Sequence, residues 1–244
     1  MLSPQSIIST LVEARRELND WVYEQTNGIV QAGPFKGMQI YPDRIWGASN
    51  IAAELLGFHE EELHEVIEAQ IERLGKLDNP VVVNVGCAEG YYATGFGYRL
   101  PKASVYAFDI DDRAVYVTTR NGENNRVTFT HDTLDAAFEK PDLVFMDCEG
   151  AERGYLDPEI SPGLLRAVIV AEMHPSTSDT EPLHETMYRR FGRTHACRVI
   201  GEGGRNPNKS PLLWRKSSLE RWLAVCEDRP CLMCWLVMEP KSDA

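Results

Sequence analysis

Apolar positions recur along the first quarter of the chain at a helical spacing. Ile8, Leu11, Val12, Leu18, Trp21 and Val22 repeat every three or four residues, which predicts an amphipathic helix over 4–26. Gly28, Gly33 and Pro34 interrupt it. Two further helical runs are expected at 49–57 and 60–76, so residues 1–78 read as an N-terminal helical extension. Its aromatic stretch (Phe35, Tyr41, Trp46) is a candidate lid, with plain packing on the sheet as the other reading.

From residue 79 the pattern changes. Short apolar runs alternate with helical segments. The runs 81–86, 104–109, 127–131, 142–147, 166–173, 194–201 and 231–238 read as strands, and helices are expected near 90–100, after 112, at 182–191 and at 217–227. Such alternation implies an α/β fold around a mostly parallel, doubly wound sheet, occupying 79–244 as one domain. The Gly/Asn/Pro-rich stretch 201–211 reads as a mobile substrate loop or a disordered segment.

In such sheets ligands bind beyond the carboxyl ends of the strands, near the point where strand order reverses. The first strand runs into Asn84-Val-Gly86-Cys87-Ala88-Glu89-Gly90-Tyr91. Two glycines there permit a tight turn and close approach of a ligand to the backbone. The spacing is not the G-x-G-x-x-G of dinucleotide folds, which counts against a nicotinamide-dependent oxidoreductase. Asp109 closes the second strand, where a carboxylate can accept hydrogen bonds from both hydroxyls of a ribose. Ile110 follows it. Asp132 and Thr133 follow the third strand, where Asp132 is either a partner for an adenine amino group or a helix cap.

These segments, with Asp147-Cys-Glu149-Gly-Ala-Glu152 and Glu172-Met-His174, resemble class I S-adenosylmethionine-dependent methyltransferases, and within them the FkbM-like enzymes. The resemblance covers about 79–200. It implies a Rossmann-like, seven-stranded sheet whose last strand is antiparallel. It also implies S-adenosylmethionine held by Asn84, the 86–91 loop, Asp109, Ile110, Asp132, Thr133 and Asp147. Asn84 stands where the family usually has an acidic residue, and Glu89 is the candidate replacement for that charge.

For chemistry, His174 is the first candidate for a base because its ordinary pKa lies near neutrality. Asp147 and Glu149 complete the catalytic candidates. Asp147, Glu172 and His174 are a conceivable Mg²⁺ set, against which acidic residues steadying a helix start is the simpler reading.

Net charge is -12, which disfavours nucleic-acid partners. The end of the fourth strand also lacks the Asn/Asp-Pro-Pro-aromatic sequence of methyltransferases that act on exocyclic amines of nucleic-acid bases. The expected acceptor is therefore a small molecule or sugar, most simply a hydroxyl, with nitrogen, sulfur and carboxylate acceptors left open. A non-catalytic binding domain that keeps the pocket is the other class of reading. No run is long enough for a membrane span, and no secretory signal is evident, so a cytoplasmic protein is expected. The six cysteines read as buried reduced thiols, Cys231-x-x-Cys234 included. The N-terminal helices leave a homodimer open.

Overall fold

The computed structural model describes residues 4–43, 50–175, 181–227, 229 and 231–242. Trp46, one of the lid candidates, lies outside them. The strands are β1 (Val81–Val85), β2 (Ser104–Phe108), β3 (Leu143–Met146), β4 (Val168–Glu172), β5 (His195–Gly201) and β6 (Cys234–Pro240). They form one sheet in the order β2-β1-β3-β4-β6-β5. The first four are parallel, and β6 runs antiparallel to both β4 and β5.

The strand count corrects the expectation. Six strands are present among the described residues, not seven, because the run 127–131 forms a single parallel bridge, Phe129 to Val105. Its position is set by side chains instead. Val127 packs against Gly97, and Phe129 against Gly122. The Val127 amide is taken by the carbonyl of Gly122 at 2.8 Å, so the ladder does not extend towards the start of the run.

The helices are α1 (Pro4–Thr26), α2 (Ile51–Leu56), α3 (His64–Leu74), α4 (Tyr91–Arg99), α5 (Asp112–Asn125), α6 (Leu134–Ala137), α7 (Glu152–Tyr155), α8 (Leu183–Phe191) and α9 (Ser218–Ala224). No described helix is long and apolar enough to cross a membrane.

Alternate residues of the central strands serve opposite faces of the sheet, as the strand period of two requires. Val82, Phe145, Val170, Trp235 and Val237 join residues of α2, α3 and α4 in one core. Val83, Val85, Val144, Met146, Ile169 and Leu236 join residues of α6 and α8 in the other. Both faces are covered, which explains the continuous apolar runs.

The N-terminal segment shares the first core. Val22, Val30, Phe35, Met38 and Ile40 are buried in it. Phe35 sits edge-on to Tyr91, Tyr92 and Phe96, with ring centroids 5.3, 6.0 and 5.6 Å away. A Cβ on Gly95 would lie 2.5 Å from that ring, so the glycine inside α4 lets the segment dock. Asn125 fixes both the amide and the carbonyl of Gln39, and Asn121 accepts from the Tyr41 amide at 2.6 Å. Phe35 is thus packed into the core. Ile8 and Leu11 of α1 are exposed.

The loop 201–211 is anchored as well. Arg205 is 7 % exposed and donates to Glu62, Glu227 and the carbonyls of Phe58 and Gly203. The cysteines divide. Cys87 is buried and Cys148, Cys197 and Cys234 are half-buried, but Cys226 and Cys231 are exposed. Cys231 falls outside the expected strand because β6 begins only at Cys234.

Candidate functional site

The loop after β1 is shaped by left-handed backbone at Gly86, Ala88 and Gly90 (φ 74°, 45° and 82°). Gly86 sits where β1 lies beside β3, and a Cβ there would fall 1.6 Å from the carbonyl oxygen of Asp147. Only glycine permits that approach. The amides of Gly86 and Cys87 both reach the carbonyl of Phe108 at 2.8 and 2.9 Å, tying the turn to the end of β2.

Asp109 completes the tie. Its Oδ2 accepts from the Ala88 amide and its Oδ1 from the Asp111 amide, each at 2.9 Å. A carboxylate has about four lone-pair sites, so two bonds leave capacity for a diol. Ile110 beside it is 94 % exposed, an apolar side chain held in solvent at the mouth of the loop. Asp132 is exposed and accepts from the Thr133 amide, and Thr133 caps α6 through the Ala136 amide.

Asn84 is buried. Its Nδ2 donates to the Phe145 carbonyl at 3.2 Å while its Oδ1 has no partner. Cys87 is also buried, and its thiol, pushed up to about 12 by that burial, lies 3.5 Å from the Thr118 hydroxyl. Glu89 belongs to the turn, where its carbonyl accepts from Asn121 at 2.6 Å. The Tyr91 ring turns the other way, between Phe35 and His59, so only its backbone faces the loop. A glycine cradle, an orphaned amide oxygen and a positioned carboxylate together fit an adenosine-bearing, zwitterionic cofactor.

Beyond β3 and β4, carboxylates close around one imidazole. His174 Nδ1 lies 2.8 Å from Glu152 Oε1, and its Nε2 lies 3.1 Å from Glu172 Oε2, 3.4 Å from Glu149 Oε2 and 3.6 Å from Asp147 Oδ1. Burial alone would lower the His174 pKa. The bonds to Glu152 and Glu172 and the nearby charges outweigh it and raise the value to about 10. At neutral pH His174 is therefore an imidazolium that donates from both nitrogens, which reverses the proton state expected of a base.

Glu172 is tied twice, by His174 on one oxygen and by Arg229 on the other. Burial favours its neutral form, but the two cations hold it at about 2. Asp147 goes the other way. Burial, and then the charge of Glu172, push its carboxyl well above the usual range, and its Oδ1 has no hydrogen-bond partner. Ligand atoms of Asp147, Glu149 and His174 lie within 4.8 Å of one another. A divalent ion bound there would displace the proton that those carboxylates hold on His174, so its binding would depend on pH. Glu172 has both oxygens engaged already.

Arg229 extends the site in a way that the sequence did not signal. It joins Glu172 to Glu60 (2.7 Å) and Glu227 (3.1 Å), and Glu60 in turn accepts from the Tyr92 hydroxyl of α4. Glu60 and Arg229 are 169 residues apart, so no local spacing could have paired them. His195 is structural: it lies buried between the Thr194 hydroxyl and the Ala167 carbonyl.

No family model matches the chain. A stretch of 70 residues is 33% identical to a release factor glutamine methyltransferase of Flavobacterium psychrophilum, covering 29% of this chain and 25% of that protein. The chain thus matches about a quarter of that relative's length. Among solved structures, human methyltransferase 10 domain containing protein superposes with a TM-score of 0.50 at 15% identity, covering 94% of this chain and 97% of that one. An O-methyltransferase from Bacillus cereus in complex with SAH gives 0.47 at 10% identity, covering 92% and 91%. The fold is the α/β Rossmann-like fold of methyltransferases, with a six-stranded mixed sheet and helices on both faces.

Proposed function

We propose that the chain is an S-adenosylmethionine-dependent methyltransferase that methylates a hydroxyl of a small molecule or sugar. The observation that carries the cofactor assignment is Asp109. Its carboxylate is locked by the Ala88 and Asp111 amides at the mouth of the Gly86–Gly90 turn, oriented before any ligand arrives. Asp147-Cys-Glu149-Gly-Ala-Glu152 followed by Glu172-Met-His174 supports a place among the FkbM-like enzymes.

When bound, the cofactor supplies an electrophilic methyl group on a sulfonium. The chain's task is to orient the acceptor oxygen and take its proton. Asp147 is the proposed proton acceptor. Its side chain is partly exposed at the end of β3, beside the Gly86 turn, and once ionised it is a stronger base than an ordinary carboxylate because burial favours its neutral form. His174, already protonated, holds Glu152, Glu172, Glu149 and Asp147 together and offsets their charge as a proton arrives. The net charge of -12 and the absence of a Pro-Pro-aromatic sequence after β3 favour a small acceptor over a nucleic acid.

Calorimetric titration with S-adenosylmethionine, S-adenosylhomocysteine and NAD⁺, repeated on Asp109→Ala, tests the assignment. Binding of the first two only, lost or weakened in the variant, is expected. Binding of NAD⁺ alone, or equal binding in the variant, would remove it.

A further inference from the structure

A cavity of about 600 Å³ opens between the 202–205 turn and the chain that follows α9. Its lining includes Glu202, Trp222, Val225, Cys226, Arg229 and Leu232. β6 begins just beyond it. The Met173 amide donates to the Cys234 carbonyl at 2.8 Å, and Glu172 pairs with Trp235, so this wall stands beside the carboxyl end of β4. Arg229 in the wall bonds Glu172, Glu172 bonds His174, and His174 faces Asp147, whose carbonyl abuts Gly86. The cavity thus connects by direct contacts to the cofactor loop.

Its chemistry has two parts. The mouth is apolar, with Trp222 52 % and Leu232 85 % exposed. An exposed indole beside a leucine offers a flat surface for a ring or an apolar sugar face. The floor is acidic. Arg205 and Arg229 are spent on Glu60, Glu62, Glu172 and Glu227, and Glu202 lies 3.9 Å from Arg205. Five carboxylates therefore share two guanidinium groups. Burial favours the neutral form of Glu60, and His174 also bonds Glu172, so Glu62, Glu172, Glu202 and Glu227 face three cations; of the four, Glu202 and Glu227 line the cavity. An incoming anion finds no unengaged guanidinium there and meets an excess of like charge, whereas an ammonium or a set of hydroxyl donors meets acceptors.

We propose that this cavity receives the acceptor, and that the acceptor is an uncharged or cationic hydroxyl compound with one apolar or aromatic face. Phosphorylated and carboxylated compounds are rejected. The proposal rests on the methyltransferase reading only in naming the occupant as the acceptor.

Three phenols of similar size test it: tyramine, tyrosol and 4-hydroxyphenylacetate, which carry a cation, no charge and an anion. Each is titrated into the full chain with and without S-adenosylhomocysteine. Occupancy is read from iodoacetamide alkylation of the exposed Cys226 and Cys231, with buried Cys87 as the internal reference. Tyramine and tyrosol are expected to slow alkylation of the two cysteines, tyramine at a concentration about tenfold or more below that of 4-hydroxyphenylacetate. Glu202→Gln should narrow that gap, and Trp222→Ala should weaken both favoured probes. Protection by the anion at equal or lower concentration, or unchanged cysteine rates with all three, would overturn the proposal. Failure of S-adenosylhomocysteine to bind the same sample would remove the methyltransferase reading and leave the cavity result standing.

Discussion

His174 Nδ1 meets Glu152 Oε1 at 2.8 Å, and the Glu152 side chain has no solvent exposure. A buried carboxylate without a cation is costly, and an imidazole among four carboxylates retains its proton. Each group thus fixes the charge of the other. Glu152 also accepts from the Cys148 amide at 3.1 Å, so the pair orders the turn that follows Asp147.

Glu152→Gln should consequently lower the His174 pKa from about 10 towards its ordinary value, because the shortest of its charge contacts becomes neutral. Titration of the imidazole by NMR measures this directly. Loss of a charge-assisted bond in a buried position should also cost about 1–3 kcal/mol in chemical denaturation. A His174 value unchanged in the variant would mean that Glu172 and Asp147 alone set it.

Stability should fall away on both sides of neutrality, for two identifiable reasons. His174 has a raised folded-state pKa, so its contribution is full below about 6.5 and is lost as pH climbs to about 10. His59 has the opposite sense: burial, opposed by Glu227, lowers it to about 4. Between about 6.5 and 4 the unfolded chain binds a proton there that the native chain refuses, so stability drops as pH falls. Denaturation midpoints from pH 4 to 10 should show both limbs, and His59→Gln should flatten the acidic one.

Asp109→Ala removes the acceptor of the Ala88 and Asp111 amides together with the proposed ribose ligand. Affinity for S-adenosylhomocysteine should fall by about 10- to 100-fold, the scale of a charged hydrogen-bonded pair. Calorimetry gives the ratio, and an unchanged constant would place the nucleoside elsewhere.

Gly86→Ala introduces a Cβ on the Asp147 carbonyl and a side chain at φ 74°. The variant should lose at least about 2 kcal/mol of stability through strain and the forced separation of β1 from β3. Urea denaturation beside Gly150→Ala provides the comparison, since a Cβ at Gly150, also at positive φ, meets nothing within 4 Å. Equal losses in the two would mean that backbone conformation, not the close approach, is what matters at Gly86.

Once an acceptor is in hand, Asp147→Asn should reduce kcat by about 10²- to 10⁴-fold, the usual worth of a general base, while S-adenosylhomocysteine affinity stays within a fewfold. Initial rates and calorimetry on one preparation separate the two. A retained kcat would transfer the proton-accepting role to another group.

Local pattern was enough for much of the fold. Strands β1 to β4 were legible because buried parallel strands are largely continuous apolar runs, and the Gly86–Gly90 turn and Asp109 because glycine and a strand-ending carboxylate have positional meaning. The run 127–131 misled for the same reason. Its residues suit a strand, but Val127 and Phe129 are held by packing against Gly97 and Gly122, which one-dimensional pattern does not contain.

The sequence by itself determined most of the elements, how they alternate and where the glycine loop meets its carboxylate, since those follow from local propensity and the strand and helix periods. Tertiary structure alone decided the charges. Only folding gathers Glu152, Glu172, Glu149 and Asp147 around His174 and turns a candidate base into a cation. Only folding carries Arg229 to Glu60 and Glu172, and Phe35 into the core against α4. Proton affinity and burial depend on every neighbour within a few ångströms, and residues that distant in the chain become neighbours only in three dimensions.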